Sequence, residues 1–360
     1  MTTLPTDYSS LIRELQRRAA LIHQPVSGVF ELTERCNLSC QMCYVRHSAR
    51  DLAQRAKELS AAEWLRLAHD AADNGMVFLL LTGGEVFLRP DFFEIYTPLT
   101  RMGLILTIFT NGTLITDKIA QRLAEAPPSL TEITLYGATA ATYETVTGLV
   151  GSYARCCAGI EALLKHRVPF GLKTTITRHN VGELEAMQQM ARNWGVSFAG
   201  AWMLSKRRDG NHSEVEDCRL SAQECVNLEA TDRISADEWV ESAFRDSSLN
   251  KDSNFNCQAG KTAFVINSSG EMNPCLSLSQ PAVRPLEIGF RAAWEGLQRF
   301  VGGTPPPETT CRTCDTRSYC PRCPAWSAME TGTLTEAVPY LCDIARLRKE
   351  HYEGMQGLAP

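Results

Sequence analysis

The chain has 360 residues, with 36 Lys and Arg against 41 Asp and Glu, and a formal net charge of −5. No apolar run approaches the roughly 20 residues of a membrane-spanning helix, so we expect a soluble globular protein of two or three domains with no membrane partner. The small negative charge provides no basic surface for phosphate groups, which argues against a nucleic-acid partner.

A predicted helix near residues 11–22 precedes a long stretch of alternating β and α patterns. From residue 26 to about 205, short apolar runs rich in β-branched residues alternate with segments of helical period, which predicts β/α units around a parallel sheet. The six predicted strands cover residues 28–33, 76–82, 105–110, 131–136, 170–177 and 198–203. Six such units make either an open sheet or an incomplete barrel.

Three of the intervening helices are marked by their ends. Ser60 and Glu63 form a capping box for the first helix, and Gly75 is its predicted stop. Pro90 opens the second helix. Gly195 closes the third, which lies just before the last predicted strand.

Open parallel sheets and barrels both place their chemistry at the carboxyl ends of the strands. Four motifs follow directly on a predicted strand, namely Cys36, Gly83-Gly84-Glu85, Asn111-Gly112 and Tyr136-Gly137. Residues 172–176 alternate between apolar and polar side chains, so Lys173 and Thr175 share one face. Because a sheet covered on both faces does not alternate in this way, we expect that face to line a polar cavity.

The pattern changes after residue 205. Residues 206–210 are charged and turn-forming, and residues 211–256 are polar with weak helical periodicity, so we interpret 206–256 as a bridging region. The later sequence is rich in Pro and Gly, as in residues 302–307, and bound metal must supply much of its folding free energy. The expected organisation is an N-terminal helical segment (1–25), a β/α barrel domain (26–205), the bridge (206–256), a cysteine-rich domain (257–342) and a C-terminal helix (343–360).

Fourteen cysteines are the most unusual feature of the composition. The first thirty residues carry no secretory signal, so we expect a cytoplasmic protein, in which metal binding explains cysteine clusters better than disulfides do. The early cluster is Cys36, Cys40 and Cys43, and the late one is Cys257, Cys275, Cys311, Cys314, Cys320, Cys323 and Cys342. The remaining four, expected to be ordinary thiols, are Cys156, Cys157, Cys218 and Cys225.

The early cluster supplies three thiolates directly after the first strand. A structural zinc site needs four protein ligands, and His47 is the nearby candidate for the fourth. A cubane iron–sulfur cluster held by three cysteines instead leaves one iron open to an external ligand. The spacing Cys36-x3-Cys40-x2-Cys43 resembles the signature of radical S-adenosylmethionine (SAM) enzymes.

Further motifs strengthen this resemblance. Residues 81–85 are similar to the Gly-Gly-Glu segment of these enzymes, in which glycine allows close approach and a carboxylate suits the SAM ammonium group. Met42 and Tyr136 depart from the family, which often has an aromatic residue and an Asp there. The SAM-binding residues that the resemblance implies are Gly83, Gly84, Glu85, Asn111, Thr134 and Lys173. Lys173 would pair with the SAM carboxylate, and the alternative for it is a solvated lysine at a strand edge.

The late cysteines resemble the seven-cysteine SPASM extension of radical SAM enzymes that modify peptides and proteins, although the gap between the fifth and sixth cysteines is one residue shorter than usual. By that resemblance Cys257, Cys275 and Cys323 would hold one auxiliary cluster. The other auxiliary cluster would be held by Cys311, Cys314, Cys320 and Cys342. The alternative is a zinc ribbon, because two Cys-x2-Cys pairs also bind zinc.

The fold class implied is α/β, a partial (β/α)6 radical SAM barrel followed by a small cysteine-rich α+β SPASM domain. The implied activity is reductive cleavage of SAM to a 5′-deoxyadenosyl radical, which takes a hydrogen atom from a ribosomal peptide. The product would be a peptide with a thioether, carbon–carbon or carbon–oxygen cross-link, or an epimerised residue. The implied cofactors are a SAM-binding 4Fe–4S cluster, SAM and two auxiliary iron–sulfur clusters. The expected partners are a precursor peptide, a flavodoxin or ferredoxin reductant and a separate leader-binding protein. No residue is assigned as the catalytic base.

Two enzymatic alternatives and one non-enzymatic alternative stay open. A sulfatase-maturing oxidase is similar, but it usually has an acidic base after the second SPASM cysteine, where this chain has Leu276. A maturase for a small redox cofactor is the second alternative. The third is a non-catalytic zinc or iron–sulfur scaffold.

Overall fold

The computed structural model describes residues 8–209, 215–231, 255, 257–302, 311 and 313–356. Its strands are β1 (Ser27–Thr33), β2 (Arg35–Cys36), β3 (His47–Ser48), β4 (Phe78–Gly83), β5 (Ile105–Thr110), β6 (Leu130–Thr134), β7 (Phe170–Thr175), β8 (Phe198–Ala201), β9 (Ala263–Ile266) and β10 (Met272–Asn273). Eight of them form one sheet in the order β10-β9-β1-β4-β5-β6-β7-β8, and β2 pairs with β3.

The main sheet is parallel from β9 to β8, as the β/α alternation predicts. All six predicted strands are confirmed, each within two residues of its expected start. The sheet also contains two strands that we did not predict. The cysteine-rich segment contributes β9, which pairs parallel with β1, and β10, which pairs antiparallel with β9.

The described α-helices are α1 (Tyr8–Leu21), α2 (Leu52–Arg55), α3 (Ala61–Asp73), α4 (Phe92–Leu99), α5 (Asp117–Glu125), α6 (Ala140–Thr147), α7 (Ser152–His166), α8 (Leu184–Trp194), α9 (Val215–Cys218), α10 (Ala222–Thr231), α11 (Pro285–Ile288), α12 (Phe290–Gly302), α13 (Pro324–Thr331) and α14 (Pro339–Gln356). Within this part of the chain, no helix has both the length and the apolar character needed to cross a membrane. Much of the predicted bridging region, and residues 303–307 of the Pro-rich run, lie outside the described residues.

Local sequence signals explain the helix ends. The predicted capping box is present at α3, where the Ser60 backbone N–H donates to the Glu63 carboxylate at 2.8 Å. Gly75 follows α3 with a φ of +106°, and Gly195 ends α8 in the left-handed region. The buried face of α3 packs on the sheet, with Trp64 and Phe30 ring centroids 4.8 Å apart.

Helix α7 packs close to the loop that follows β5. Gly159 makes this possible, because a Cβ at this position would lie 2.2 Å from the carbonyl oxygen of Gly112. The α7 backbone therefore braces the loop containing Asn111, which lies at the carboxyl end of the sheet.

We expect Gly159→Ala to lower the free energy of unfolding by roughly 1–3 kcal/mol, because the methyl group forces two backbones apart. Gly296→Ala is the matched control, since the nearest atoms to its new methyl group would be 3.9 Å away. That substitution should raise the free energy of unfolding by about 0.4–1 kcal/mol. Urea unfolding of both variants measures the difference, and equal shifts would show that the α7 contact is not tight.

Candidate functional site

A cavity of about 540 Å³ lies at the carboxyl ends of the strands, where the sequence motifs predict it. Its lining includes Cys36, Cys40, Cys43, Gly83, Gly84, Asn111, Thr134 and Lys173 from the predicted site. It also includes Met42, Tyr44, Phe109, Glu132, Tyr136, Leu276 and Trp326. Residues from β4 to β8, the early cysteine loop and the cysteine-rich segment therefore share one cavity.

Two backbone segments meet closely at one end of the cavity. The Gly84 N–H donates to the Thr33 carbonyl at 2.7 Å, and the Glu85 N–H donates to the Arg35 carbonyl at 3.0 Å. Gly83 has a φ of +138°, and a Cβ at this position would lie 2.1 Å from the Thr33 oxygen. A Cβ at Gly84 would lie 2.3 Å from the Arg35 oxygen. Only glycine at both positions allows this contact, which places the Gly-Gly-Glu segment against the start of the cysteine loop.

The three early thiols are close enough to influence one another. Burial, with smaller contributions from the negative charges of Glu85 and Cys43, raises the pKa of Cys36 to about 12. Burial and the two neighbouring thiols also raise the pKa of Cys40. Binding of a metal centre must therefore release protons from these thiols. In the described residues, no three His, Cys, Asp or Glu side chains converge at the spacing of a single metal ion.

His47 does not join the three cysteines. Its Nε2 lies 3.7 Å from the carboxylate of Glu34, and its Nδ1 lies 3.3 Å from that of Asp51. The side chain is also not part of the cavity lining. The imidazole thus lies beside two carboxylates and outside the cavity lining, which does not favour His47 as a fourth ligand.

Glu85 is the one predicted SAM-binding residue that does not line the cavity. Its carboxylate is fully buried and accepts hydrogen bonds from the backbone N–H of Asn111 (2.8 Å), the hydroxyl of Thr110 (2.8 Å) and the backbone N–H of Phe87 (3.2 Å). The contact of this carboxylate with the SAM ammonium group stays a prediction. Its observed role is to tie the end of β4 to the end of β5.

Asn111 connects these strand ends to the cysteine loop. Its side-chain nitrogen donates to the Asn37 oxygen at 3.0 Å and lies 3.7 Å from the Cys36 sulfur. The Asn111 oxygen accepts from the Thr113 hydroxyl at 2.6 Å, which fixes the amide orientation. Asn111 thus orients a predicted metal ligand.

Lys173 points into the cavity as the strand alternation predicts. Its Nζ lies 3.4 Å from the Glu132 carboxylate and 2.6 Å from the centroid of the Phe109 ring. Burial lowers the pKa of Lys173 to about 7, and Glu132 opposes that shift. The sequence interpretation missed Glu132, although it alternates with Thr134 on the same face of β6 and could have been found from that pattern.

Arg208 is the second residue that the sequence interpretation missed. Its guanidinium donates to the carboxylates of Glu31 (2.7 Å) and Glu34 (2.8 Å) and to the carbonyl of Leu276 (3.0 Å). Its backbone N–H donates to the Tyr44 carbonyl at 3.2 Å. A residue assigned to a turn therefore joins β1, the early cysteine loop and the segment after Cys275.

The late thiols lie in two groups. Burial raises the pKa of Cys275 to about 11, with smaller contributions from Cys323 and Cys257. Burial raises the pKa of Cys320 to about 12, and the neighbouring thiols that add to this shift are Cys342, Cys311 and Cys314. The two groups have the same members as the two ligand sets that the SPASM resemblance implies. Of the four other cysteines, Cys156, Cys218 and Cys225 are buried and Cys157 is partly buried.

Comparison with known proteins supports the family resemblance. The Radical SAM superfamily model matches residues 30–191, which contain the cysteine loop and all six predicted SAM-binding residues. Over residues 30–191 the chain is therefore similar to the radical SAM superfamily. The superfamily implies a 4Fe–4S cluster and SAM, and the similar proteins are enzymes.

Two curated relatives differ in how much of their length this chain matches. An AdoMet-dependent heme synthase of Methanosarcina barkeri is 28% identical over 89% of this chain and 97% of its own length. The antilisterial bacteriocin subtilosin biosynthesis protein AlbA of Bacillus subtilis is 27% identical over 70% of this chain and 55% of its own length. The chain thus spans nearly all of the first relative and about half of the second.

The fold matches that of a solved radical SAM structure. Streptococcus suis SuiB bound to S-adenosylmethionine superposes with a TM-score of 0.68, at 15% identity, over 94% of this chain and 84% of that chain. SuiB bound to precursor peptide SuiA gives 0.66 at 16% identity, over 94% and 82% of the two chains. The α/β fold with a mostly parallel eight-stranded sheet is therefore confirmed.

The residues present fit the cofactors that the superfamily implies. Three thiols at one end of the cavity, one buried and two half-buried, are the donor set for an iron–sulfur cluster that keeps one iron open. The adjoining backbone of Gly83 and Gly84 is exposed to the cavity, and the remaining cavity has both polar and apolar walls suited to a nucleoside.

We expect Glu85→Gln to reveal the titration of the buried carboxyl group. Burial raises the pKa of Glu85 from 4.5 to about 7, so the native state holds this proton more tightly than the unfolded state does. The free energy of unfolding of the natural enzyme, relative to that of the variant, should therefore fall as the pH rises from 4.5 to about 7. Urea unfolding at a series of pH values tests this, and a constant difference would place the carboxyl pKa near its ordinary value.

Proposed function

We propose that this radical SAM enzyme modifies a ribosomal precursor peptide, by forming a thioether, carbon–carbon or carbon–oxygen cross-link or by epimerisation. The observation that carries the proposal is the composition of the cavity wall at β8. Ala199, Gly200 and Ala201 are exposed, lie on the edge strand of the sheet and line the cavity. Small side chains on an open edge strand leave room for an extended peptide beside the cavity.

In this proposal the cofactors supply the radical chemistry, and the residues of the chain bind and orient the cofactors. When bound, the 4Fe–4S cluster and SAM supply a 5′-deoxyadenosyl radical that removes a hydrogen atom from an unactivated carbon. Cys36, Cys40 and Cys43 would hold the cluster. The backbone of Gly83 and Gly84 allows SAM to approach closely, and Thr134 offers it a hydroxyl group.

Lys173 would bind the SAM carboxylate in this scheme. Glu132 holds the ammonium group in the cavity before SAM arrives, at an N···O distance of 3.4 Å. A second carboxylate beside Lys173 would stabilise its protonated form, because an opposite charge favours the charged state of a buried amine. Lys173 therefore serves as an anchor whose charge is matched to an anionic group.

The two late groups of thiols would hold auxiliary iron–sulfur clusters, one at Cys257, Cys275 and Cys323. The other would be at Cys311, Cys314, Cys320 and Cys342. Leu276, directly after a member of the first group, lines the cavity, so this group lies near the substrate space. The auxiliary clusters would accept the electron left after bond formation or bind a substrate thiolate. Because Leu276 is apolar, the cavity has no acid there, which disfavours the sulfatase-maturing alternative.

Modification of a tetrapyrrole is the second candidate, and the match over 97% of a heme synthase supports it. Tetrapyrroles carry several carboxylates, and buried carboxylates need paired cations. Lys173 is the single Lys or Arg in the described lining of the cavity, and it is already beside Glu132. This charge balance favours a peptide over a tetrapyrrole.

A direct comparison of substrates tests the proposal. The enzyme would be reconstituted anaerobically with iron and sulfide and then reduced with dithionite in the presence of SAM. One reaction would contain a short peptide encoded beside its gene, and the other an iron porphyrin with propionate groups. We expect 5′-deoxyadenosine together with a peptide that has lost two hydrogens, or that has an inverted α-carbon after acid hydrolysis. Loss of carbon dioxide from the porphyrin, with an unchanged peptide, would establish the second candidate instead.

Cysteine substitutions separate the first cluster from the auxiliary ones. Cys40→Ala should abolish formation of 5′-deoxyadenosine, because a ligand of the cluster that reduces SAM is lost. Cys314→Ala should retain part of that activity while losing the modified product. Both products are measured by mass spectrometry. Cleavage of SAM by the Cys40 variant would mean that the ligands are assigned wrongly.

A further inference from the structure

The segment that follows β8 lies against the early cysteine loop. Leu204 is buried in an apolar cluster against which Cys43 packs. The Arg208 backbone N–H donates to the carbonyl of Tyr44, the residue after Cys43, at 3.2 Å. Arg207 lies between these two contacts, so its backbone runs beside the last of the three predicted cluster ligands.

Arg207 carries a buried donor that lacks an acceptor. Its Nε is buried and makes no hydrogen bond within the described part of the chain. Its Nη2 donates to the carboxylate of Asp209 at 2.8 Å, but the Asp209 side chain is 37% exposed, so water screens that charge. A buried N–H group without a partner costs free energy in the folded state. An acceptor that arrives with a bound group would remove this cost.

The Cys43 sulfur changes its hydrogen-bonding role when a metal centre binds. As a thiol it donates to the Val45 carbonyl at 2.6 Å. A metal-bound thiolate has lost this proton and can only accept. Burial raises the pKa of Cys43, and the positive charges of Arg207 and Arg46 oppose that shift, so both guanidinium groups lie within electrostatic range of the sulfur. Arg46 uses Nε and Nη2 for the Ser39 hydroxyl, whereas the Nε of Arg207 has no acceptor among the described residues.

We propose that Arg207 is a positioning residue for the early cluster, in which its Nε–H donates to the Cys43 sulfur and its positive charge raises the reduction potential of the cluster. Reduction adds one negative charge, so a nearby buried cation stabilises the reduced form more than the oxidised form. A hydrogen bond to a ligating sulfur acts in the same direction. The inference rests on the proposed function only in requiring an iron–sulfur cluster at the early cysteines.

A redox titration followed by electron paramagnetic resonance measures the effect on the potential. The tested variant is Arg207→Gln. The matched control is Lys206→Gln, which removes one positive charge from the neighbouring residue, whose Nζ lies 3.2 Å from the Glu216 carboxylate. Dithionite supplies the electrons, and the early cluster is recognised as the one whose signal changes when SAM is added.

For Arg207→Gln we expect about a tenfold change in the one-electron equilibrium constant, which is a midpoint potential about 59 mV more negative. The potential of Lys206→Gln should match that of the natural enzyme. An unchanged potential in Arg207→Gln, or an equal shift in the control, would overturn the proposal.

A spectroscopic measurement tests the hydrogen bond even where the glutamine variant does not assemble its cluster. In the natural enzyme, arginine labelled with ¹⁵N in its guanidinium group should give a ¹⁵N hyperfine coupling to the reduced early cluster. Arg207→Lys, which keeps the charge without the Nε–H, should lose this coupling. Absence of the coupling from the natural enzyme, or its persistence in Arg207→Lys, would overturn the proposal.

The same experiments separate this inference from the proposed function. A natural enzyme with no SAM-responsive signal would remove the early cluster and the role of Arg207 together. A shifted potential in Arg207→Gln without any modified peptide would count against the peptide substrate alone.

Discussion

The site depends on one close backbone contact, in which the segment after β4 lies against the segment after β1. Two hydrogen bonds, from Gly84 to Thr33 and from Glu85 to Arg35, join carbonyls and amides that no side chain separates. The cysteine loop begins at the next residue, so its position relative to the cavity follows from this contact. Any Cβ at residues 83 or 84 would collide with a carbonyl oxygen, which is why the motif needs paired glycines.

Buried charge is the second constraint on the site. The Glu85 carboxylate is satisfied by two backbone amides and a hydroxyl, and Lys173 by Glu132 and an aromatic ring. The Arg208 guanidinium donates to the carboxylates of Glu31 and Glu34 and to the carbonyl of Leu276. Burial raises the pKa of all three early thiols, although Arg207 and Arg46 oppose the shift at Cys43, and a metal centre would replace their protons. The polar framework is thus formed by the chain, whereas the cysteine loop is completed by its ligand.

Much of the architecture could be predicted from local sequence patterns. The six strands, the α3 capping box and the glycine stop after α8 all follow from periodicity and end signals within short windows. Strand β9 could not be found in this way, because four apolar residues in a cysteine-rich segment reveal nothing about a partner 230 or more residues away. The direction of the Glu85 side chain could not be predicted from local patterns either, because it depends on a hydrogen bond from the Asn111 backbone, which follows the next strand. Arg208 was missed for the same reason.

The central claim is that three early thiolates hold a cluster with one open iron. Pulsed electron–nuclear double resonance tests this claim on the dithionite-reduced enzyme with SAM that carries a ¹³C-labelled methyl group. We predict a ¹³C hyperfine coupling to the reduced cluster in the natural enzyme and its loss in Cys40→Ala. A reduced cluster that shows no coupling to labelled SAM, or zinc at one equivalent in place of iron at the early cysteines, would contradict it.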